Sequence, residues 1–581
     1  MHSEQRTWDF IVVGAGSAGC VVADRLSESG AHRVLVLEAG PVDSWLMKPA
    51  AISWFLDLSR YEWGYWSHPD PSRNMRKEQW RRGRVLGGTS SINGMEYVRG
   101  ARSDYDRWAA MGNAGWSADD VMPLFRSMEH IEPGFHPAPD YAVRGDAGAV
   151  PIRVPRGCHP VTDAFIKSVQ AVGYPFNKDY NAAEQLGVSY MQFNQRHGMR
   201  CSSAEAFLKP AMGRQNVAVQ TDALVQKLLI QNRRVIGVQY ERGGEIHVAY
   251  AGDVILSGGA INTPKILMLS GIGDPQALRN LGIEVVVDRP AVGKNMQEHP
   301  LIRPTYRTKK PTYNPSEGLL QRARFLAKFI FTRQGPIANP MEATAFLKTS
   351  PSESVPDIQL HLSLVGMTYT DDPKAHKGLA LTPYPSFSIF FNKSHPVSRG
   401  QIRLASANPQ TAPIIEPNML GDERDVATMV RGLQLVRRIA STQPLAGMII
   451  GEVEPGIERA SYDTLADYVR ARTGLAYHPI GTCRMGVDED AVVTPNLEVR
   501  GVENLWIADA SIMPDHISGN TNGICMMIGE KLGRHLAAMK GGSRATELLT
   551  EPGVVHAAAP AAASTMSGST TASACNRPSA K

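Results

Sequence analysis

The stretch "DFIVVGAGSAGCVVADRLSESGAHRVLVLEAG", residues 9–40, decides the fold. Its apolar runs predict a buried strand over Phe10–Val13, a helix that ends at Gly30 and a second strand over Arg33–Glu38. A strand, helix, strand unit of this kind is typical of a parallel sheet covered by helices. The sequence therefore predicts an α/β protein that contains one unit of a parallel sheet in this stretch.

The turn between the first strand and the helix carries the pattern G-x-G-x-x-G. Its first glycine permits a tight turn, its second lets the backbone approach a pyrophosphate, and its third lets helix and strand pack closely. The helix N-terminus adds partial positive charge, and Glu38 can accept hydrogen bonds from an adenosine ribose. The pattern predicts a bound dinucleotide and leaves NAD and FAD both open. The residues expected to contact it are Gly14, Gly16, Ser17, Ala18, Gly19, Glu38 and Ala39.

Composition excludes several classes of protein. The 581 residues are too many for one hydrophobic core, so more than one domain is expected. Lys and Arg number 61 against 56 for Asp and Glu, and no dense basic run with aromatics occurs, which argues against nucleic acid as a partner. The six cysteines show neither the spacing of a disulfide framework nor a metal motif. We find no secretion signal and no transmembrane segment, and we expect a cytoplasmic protein.

Two more glycine-rich stretches follow the first: "GRVLGGTSSINGM", residues 83–95, and "GGAINTPKILMLSGIG", residues 258–273. Taken singly, they could be an ordinary turn and a packing helix. In their order and spacing after the first unit, they resemble the signature stretches of the glucose-methanol-choline oxidoreductases. Further similar pieces include "RCSSAEAFLKP", "VGKNMQEHP" and "NLWIADASIMP", so the resemblance covers roughly residues 8–540.

The resemblance implies FAD as the cofactor and a division into two domains. The FAD-binding domain would be Rossmann-like and discontinuous, built from residues 8–160, 201–300 and 475–540. The substrate-binding domain, with an antiparallel sheet and helices, would take residues 161–200 and 301–474. Residues 541–581 are rich in Ala, Ser, Thr and Pro and are expected to be disordered. The resemblance adds these cofactor contacts: Arg84, Gly87, Gly88, Thr89, Asn93, Gly94, Val225, Asp509, Ala510, Asn520 and Thr521.

The stretch "YHPIGTCRMG", residues 477–486, resembles the active-site histidine motif of the same family. Carried over by position, His478 is the catalytic histidine, and Asn520 in "SGNTNG" is its partner. The reaction implied is oxidation of an alcohol, expected to be a primary one, to the aldehyde. Hydride would pass to flavin N5, His478 would take the hydroxyl proton, and Asn520 would orient the oxygen. Oxygen or a quinone-like compound would accept the electrons.

One position departs from some relatives, which attach FAD covalently through a histidine where this chain has Ile92. We therefore expect non-covalent FAD. Three alternatives stay open: a hydroxynitrile lyase-type enzyme that holds FAD, a non-catalytic FAD-binding module, and a nicotinamide dehydrogenase if FAD is absent. Whether Glu342 or the aromatic loop from Trp45 to Trp66 touches the substrate also stays open. The alternatives are a salt-bridged or solvated Glu342 and a loop whose aromatic side chains pack against the protein.

Overall fold

The computed structural model describes residues 8–49, 58–314, 318–339, 341–370 and 379–548. All elements except the C-terminal end of the last helix belong to one compact unit, which ends at Ala537. The helices are α1 Ser17–Ser27, α2 Arg102–Ala110, α3 Ala118–Met128, α4 Pro160–Ala171, α5 Lys209–Ala211, α6 Gly259–Leu269, α7 Pro275–Asn280, α8 Gly318–Thr332, α9 Glu423–Ala440, α10 Tyr462–Arg472 and α11 Asn522–Leu548.

The strands fall into two large sheets and several short pairings. They are β1 Trp8–Val13, β2 Val34–Leu37, β3 Tyr65–Trp66, β4 Gln79–Trp80, β5 Glu129–Ile131, β6 Val150–Arg153, β7 Gly187–Tyr190, β8 Phe193–Arg196, β9 Met199–Arg200, β10 Val217–Gln220, β11 Ala223–Gln231, β12 Arg234–Arg242, β13 Glu245–Leu256, β14 Ile272–Gly273, β15 Val287–Asp288, β16 Pro300–Ile302, β17 Thr305–Thr308, β18 Met341–Leu347, β19 Ile358–Ser363, β20 Met367–Tyr369, β21 Leu379–Leu381, β22 Ser386–Lys393, β23 Gln401–Arg403, β24 Ile414–Glu416, β25 Ile449–Glu454, β26 Gly474–Leu475 and β27 Leu505–Ile507.

The first sheet contains the predicted strand, helix, strand unit at its centre. Its strands run in the order β10-β2-β1-β13-β12-β11, and β27 pairs with β13. Strands β10, β2, β1, β13 and β27 are parallel, whereas β11, β12 and the first half of β13 pair antiparallel. The four residues of β2 are fully buried, as expected of a strand covered on both faces. The α/β class and the Rossmann-like unit are confirmed.

The second sheet has eight strands and is antiparallel throughout. Its main order is β25-β17-β22-β19-β18-β7, with β16 pairing to β22 and β26. One face of it packs against α4, α9 and α10 through a hydrophobic core separate from the core of the first sheet. Six of its eight strands lie within the chain segments predicted for the substrate domain, whereas β16 begins at Pro300 and β26 ends at Leu475, each one residue outside them. The exact domain boundaries stay a prediction.

The C-terminal helix extends into the segment predicted to be disordered. A disordered tail was expected from residue 541, but α11 continues to Leu548. Residues 541–548, "GGSRATEL", contain the good helix formers Ala545, Glu547 and Leu548 beside two glycines. The rest of the predicted tail, residues 549–581, lies outside the described residues.

Candidate active site

A cavity of about 1120 Å³ connects the two sheets. Its size exceeds the roughly 300–1,000 Å³ of ordinary small-ligand pockets, as an elongated cofactor together with a substrate would require. One end is walled by the glycine turn after β1, and the other by His478 and the second sheet. The two ends are built in different ways.

Two of the three glycines in the turn, Gly14 and Gly19, have no room for a side chain. Gly14 has φ +99°, and a Cβ there would lie 2.6 Å from the Ser257 carbonyl oxygen. A Cβ on Gly19 would lie 2.0 Å from the Gly14 carbonyl oxygen, so α1 packs directly on β1. By contrast, a Cβ on Gly16 would meet only Ser257 O at 3.8 Å, because that position faces the cavity. Each glycine has the role that a pyrophosphate-binding turn requires.

Glu38 at the end of β2 is almost fully buried beside this turn. Its carboxylate accepts hydrogen bonds from the backbone N–H groups of Ala15 (2.8 Å) and Gly40 (2.9 Å). Burial raises the pKa of Glu38 to about 7, although these two hydrogen bonds and the Arg84 charge act against the rise. A carboxylate offers about four acceptor positions, so two donors still leave capacity for a ligand hydroxyl.

Asp509 follows β27 and joins the third glycine-rich stretch to the cavity. Its carboxylate accepts hydrogen bonds from Gly259 N–H (2.8 Å), the Thr263 hydroxyl (2.5 Å) and Ser511 N–H (2.8 Å). Burial raises its pKa above the ordinary range of an aspartate. The carboxylate thus holds the start of α6 against the end of β27, where both line the cavity.

Most of the residues predicted to contact the cofactor line this one cavity. They are Gly14, Gly16, Ser17, Ala18, Glu38, Ala39, Gly88, Thr89, Asn93, Gly94, Val225, Asp509, Ala510, Asn520 and Thr521, and His478 lines it as well.

Three predicted contacts, Gly19, Arg84 and Gly87, are not among the lining residues. Gly19 lies where α1 packs against the Gly14 carbonyl. The Arg84 Nε donates to the Ala39 carbonyl (3.1 Å), and the guanidinium lies over Trp63. Gly87 has φ +86°, and its N–H donates to the Ala15 carbonyl (2.8 Å). All three residues support lining residues of the cavity without lining it themselves.

At the other end, a chain of hydrogen bonds assigns the proton positions of His478. The Nε2 of His299 lies 2.9 Å from the Ser394 carbonyl, which can only accept, so this nitrogen carries a proton. Nδ1 of neutral His299 is then an acceptor, and it lies 3.0 Å from Nδ1 of His478, which must donate. Consequently Nε2 of His478 is unprotonated, and its lone pair accepts a hydrogen bond from the Asn520 NH₂ group at 3.3 Å.

Asn520 is itself oriented by the second sheet. Its Oδ1 accepts from the Gln359 side-chain amide (3.1 Å), so its NH₂ group points to His478. The same Gln359 nitrogen donates to Glu96 (3.1 Å), which pairs with His361 (2.9 Å). Burial would lower the pKa of His361, but the Glu96 carboxylate outweighs it and raises the pKa. The Glu96 carboxylate and the His361 imidazole, paired at 2.9 Å, therefore support the Gln359 amide.

The backbone at His478 is held in an unusual conformation. Tyr477 has φ +67°, the left-handed region that a non-glycine residue rarely adopts. The Glu298 carboxylate accepts from the His478 N–H (2.7 Å), and the Arg82 guanidinium donates to the Tyr477 carbonyl (2.7 Å). Both hydrogen bonds fix the orientation of the peptide group between Tyr477 and His478. They hold the imidazole toward the cavity.

Burial also determines the charge of the imidazole. It lowers the pKa of His478 well below the ordinary value of 6.5, and the nearby His299, Arg82 and His361 lower it further. Burial lowers the pKa of His299 to about 3, and that of His516, which stacks on His299 at 3.5 Å, well below its ordinary range. At neutral pH all three rings are therefore neutral, and His478 can accept a proton.

Sequence reasoning missed the residues that support His478. Glu298 and His299 stand in "VGKNMQEHP", which contributed to the family resemblance without any role being predicted for them. A buried carboxyl beside a histidine in a motif was the available signal. Gln359 and His361 lie in the ordinary-looking strand β19, and nothing in that strand's sequence pattern marks them.

Glu342 and the aromatic loop differ in their relation to the cavity. Glu342 does not line the cavity, because its carboxylate is buried and accepts from His159 N–H, the Thr162 hydroxyl and the Tyr313 hydroxyl, each at 2.7 Å. Tyr313 does line it. In the aromatic loop, Trp63 lines the cavity and Trp66 is exposed, whereas Trp54 and Phe55 lie outside the described residues.

Comparison with known proteins now places the chain. Residues 8–301 and 396–529 match the N-terminal and C-terminal models of the GMC oxidoreductases. The chain is a GMC oxidoreductase. This confirms the resemblance on which the FAD prediction depended.

Two relatives and one solved structure show how far the similarity extends. The oxygen-dependent choline dehydrogenase of Rhizobium rhizogenes is 38% identical over 91% of this chain and 95% of its own. The mitochondrial choline dehydrogenase of Homo sapiens is 40% identical over 91% and 90%. Pyridoxine 4-oxidase from Mesorbium loti superposes with a TM-score of 0.81 at 29% identity, over 91% of this chain and 99% of that one.

This GMC oxidoreductase is thus an FAD-dependent enzyme that oxidises an alcohol to an aldehyde. The cavity fits the cofactor, since it offers side-chain-free turns at Gly14 and Gly16 and the Glu38 carboxylate at one end. No described helix has the length and apolar composition to cross a bilayer. The cytoplasmic location stays a prediction, because two of the relatives are named mitochondrial.

Proposed function

We propose that His478 is the general base of the alcohol oxidation and that its Nε2 accepts the hydroxyl proton. The observation that carries this proposal is the hydrogen-bond chain from Ser394 through His299, which leaves that one nitrogen unprotonated at the cavity surface. FAD, when bound, supplies the acceptor for the hydride that leaves the alcohol carbon. A positioned base of this kind contributes on the order of 10²–10⁴ in rate.

Asn520 positions the same hydroxyl group in this proposal. Its NH₂ group points to His478 Nε2 because Gln359 holds its Oδ1. A substrate oxygen entering between them would accept from Asn520 while donating to His478. That hydrogen bond strengthens as negative charge develops on the oxygen, which stabilises the transition state.

The cofactor is held without a covalent bond in this proposal. Ile92 lines the cavity with an aliphatic side chain that has no nucleophilic atom. Turns that contain Gly14, Gly16 and Gly88 bring backbone groups to the wall, and Glu38 stands at the ribose end. Denaturation should therefore release free flavin, and yellow colour in the precipitated chain would contradict non-covalent binding.

The substrate in this proposal is a primary alcohol, and choline is the candidate that the named relatives suggest. The rings of Tyr313 and Phe325 line the cavity and pack edge to face. Aromatic rings attract quaternary ammonium groups, and the Tyr313 hydroxyl donates to the buried Glu342 carboxylate, which adds electron density to the ring. Glu342 would thus act on the cation through Tyr313.

An anaerobic comparison of two alcohols tests this function. Choline and dimethylbutanol, its neutral analogue in which carbon replaces the quaternary nitrogen, are each mixed with the holoenzyme and flavin bleaching is followed. We expect bleaching by choline at the lower concentration. Equal bleaching by both would contradict the proposed recognition of the cation but would agree with a primary alcohol as substrate. No bleaching by any primary alcohol would contradict the proposed chemistry, and release of cyanide from an added hydroxynitrile without bleaching would then indicate a lyase.

The same experiment identifies the electron acceptor. After bleaching, air or a soluble quinone is admitted and the return of colour is timed. Recovery in air supports oxygen, and recovery only with quinone supports a quinone-like acceptor.

A further inference from the structure

Helix α8, Gly318–Thr332, is amphipathic in an unusual direction: its broad apolar face points to solvent. Leu320, Leu326, Ile330 and Phe331 are 69%, 50%, 55% and 85% exposed. At 3.6 residues per turn, these four side chains, together with Ala323 and Ala327, cover an arc of about 140°. Isolated exposed apolar residues are common, but a contiguous face of this kind marks an interaction surface.

The opposite side of α8 is already used. Phe329 is buried, and Gln321, Arg322 and Phe325 line the large cavity. Phe325 also packs edge to face on Tyr313. The helix is therefore fixed to the protein by one side, and its exposed apolar face cannot turn inward.

Positive charges border the exposed face on both edges. Arg324 and Lys328 follow Phe331 around the helix, and Arg322, which also lines the cavity, lies beyond Leu326 at the other edge. Between Gly318 and Arg333 there is no acidic residue. An apolar stripe bordered by Lys and Arg is the pattern of helices that lie in the interface of an anionic lipid surface.

We propose that α8 docks this enzyme onto an anionic lipid membrane, with the apolar stripe inserted among the headgroups and the basic borders against the lipid phosphates. The helix would lie parallel to the surface, because its charges exclude a spanning orientation. Self-association through the same face is disfavoured, because it would bring two basic borders together. Docking would place the lipid next to the cavity that α8 lines.

Vesicle co-sedimentation of the full-length holoprotein tests the proposal. The probes are vesicles of phosphatidylcholine alone and vesicles in which part of it is replaced by phosphatidylglycerol. We expect binding to the anionic vesicles that weakens with added salt. The triple variant Leu320→Ser, Ile330→Ser and Phe331→Ser should bind at least about tenfold more weakly, because each substitution removes apolar surface that would be buried in the membrane.

Two further variants make the test specific. Ile457 is 76% exposed outside α8, so Ile457→Ser should leave vesicle binding unchanged. The double variant Arg324→Gln and Lys328→Gln should weaken binding to anionic vesicles and leave the weak binding to neutral vesicles as it was. Flavin content and alcohol-driven bleaching report on folding, and none of the changed residues lines the cavity.

Three results would overturn the proposal. They are wild-type protein that stays in the supernatant with anionic vesicles, a triple variant that binds as well as wild type, and a lipid-free dimer in light scattering that the triple variant abolishes. The last would assign the face to a second copy of the chain. Vesicle binding needs no turnover, so it fails or succeeds independently of the role of His478.

Discussion

The two ends of the cavity are built on different principles. At the glycine end, backbone groups form the wall, and the elements that hold them, β1, α1 and β2, follow one another within residues 8–37. At the His478 end, side chains form the wall, and His299, Gln359 and Asn520 come from segments far apart in the chain. Cofactor binding thus depends on local geometry, whereas the chemistry depends on how the two sheets meet.

The comparison predicts its largest effect at the glycine end. Gly14→Ala would place a methyl group against the Ser257 carbonyl at 2.6 Å and force a positive φ on alanine. We expect almost complete loss of bound flavin, measured as the ratio of flavin to protein absorbance after purification. Gly30→Ala is the matched control, because Gly30 also has positive φ (+76°) but open space around it. It should cost only about 1–2 kcal/mol of folding free energy and keep its flavin.

If both glycine variants kept flavin equally, the close approach of Gly14 to Ser257 would have no bearing on the cofactor. If both lost it, backbone strain alone would account for the effect.

A smaller effect is expected where one side chain positions another. Gln359→Leu removes the donor to Asn520 Oδ1, so the amide can turn away from His478. Because a neutral hydrogen bond contributes about 0.5–1.5 kcal/mol, flavin reduction by alcohol should slow by up to roughly tenfold. Stopped-flow absorbance under anaerobic conditions measures this.

Gln195→Leu provides the control for that measurement. Gln195 is equally buried, but its side chain donates to the Ala338 carbonyl and not to Asn520. Its flavin reduction should stay at the wild-type rate. Equal slowing in both variants would mean that the loss follows from buried polar groups in general.

The smallest expected effect is an absence of pH dependence. The pKa of His478 is lowered well below 6.5, and the base works in its deprotonated form. Burial raises the pKa of Glu298, which accepts from the His478 N–H, to about 8, so the profile is measured in the variant Glu298→Gln. In that variant the rate of flavin reduction should stay constant as the pH falls from 8 through 6.5, and decline only in more acid solution. A decline centred near the ordinary histidine pKa would show that His478 is not desolvated as the structure indicates.

The sequence was informative where function depends on contiguous residues. The glycine pattern and Glu38 could be predicted because each turn, cap and strand is encoded locally. Val225, Asp509, His478 and Asn520 came only through family resemblance, since their proximity depends on sheet packing. The residues that set the tautomer of His478 could not be predicted. Their partners are far away in sequence, and a buried glutamine or histidine in a strand resembles any other core polar residue.

The helix that carries the exposed apolar face shows the same limit. Its composition was visible in the sequence, but an apolar stripe is ordinarily buried. Only the structure shows that the other side of α8 is the one packed against the cavity.

The role of His478 as the general base is tested most directly by anaerobic reduction of the flavin by alcohol in the variant His478→Ala, with and without added imidazole. The account predicts unchanged flavin content, reduction slower by about 10²–10⁴ and partial recovery when imidazole supplies the missing base. Reduction of His478→Ala at the wild-type rate would contradict it.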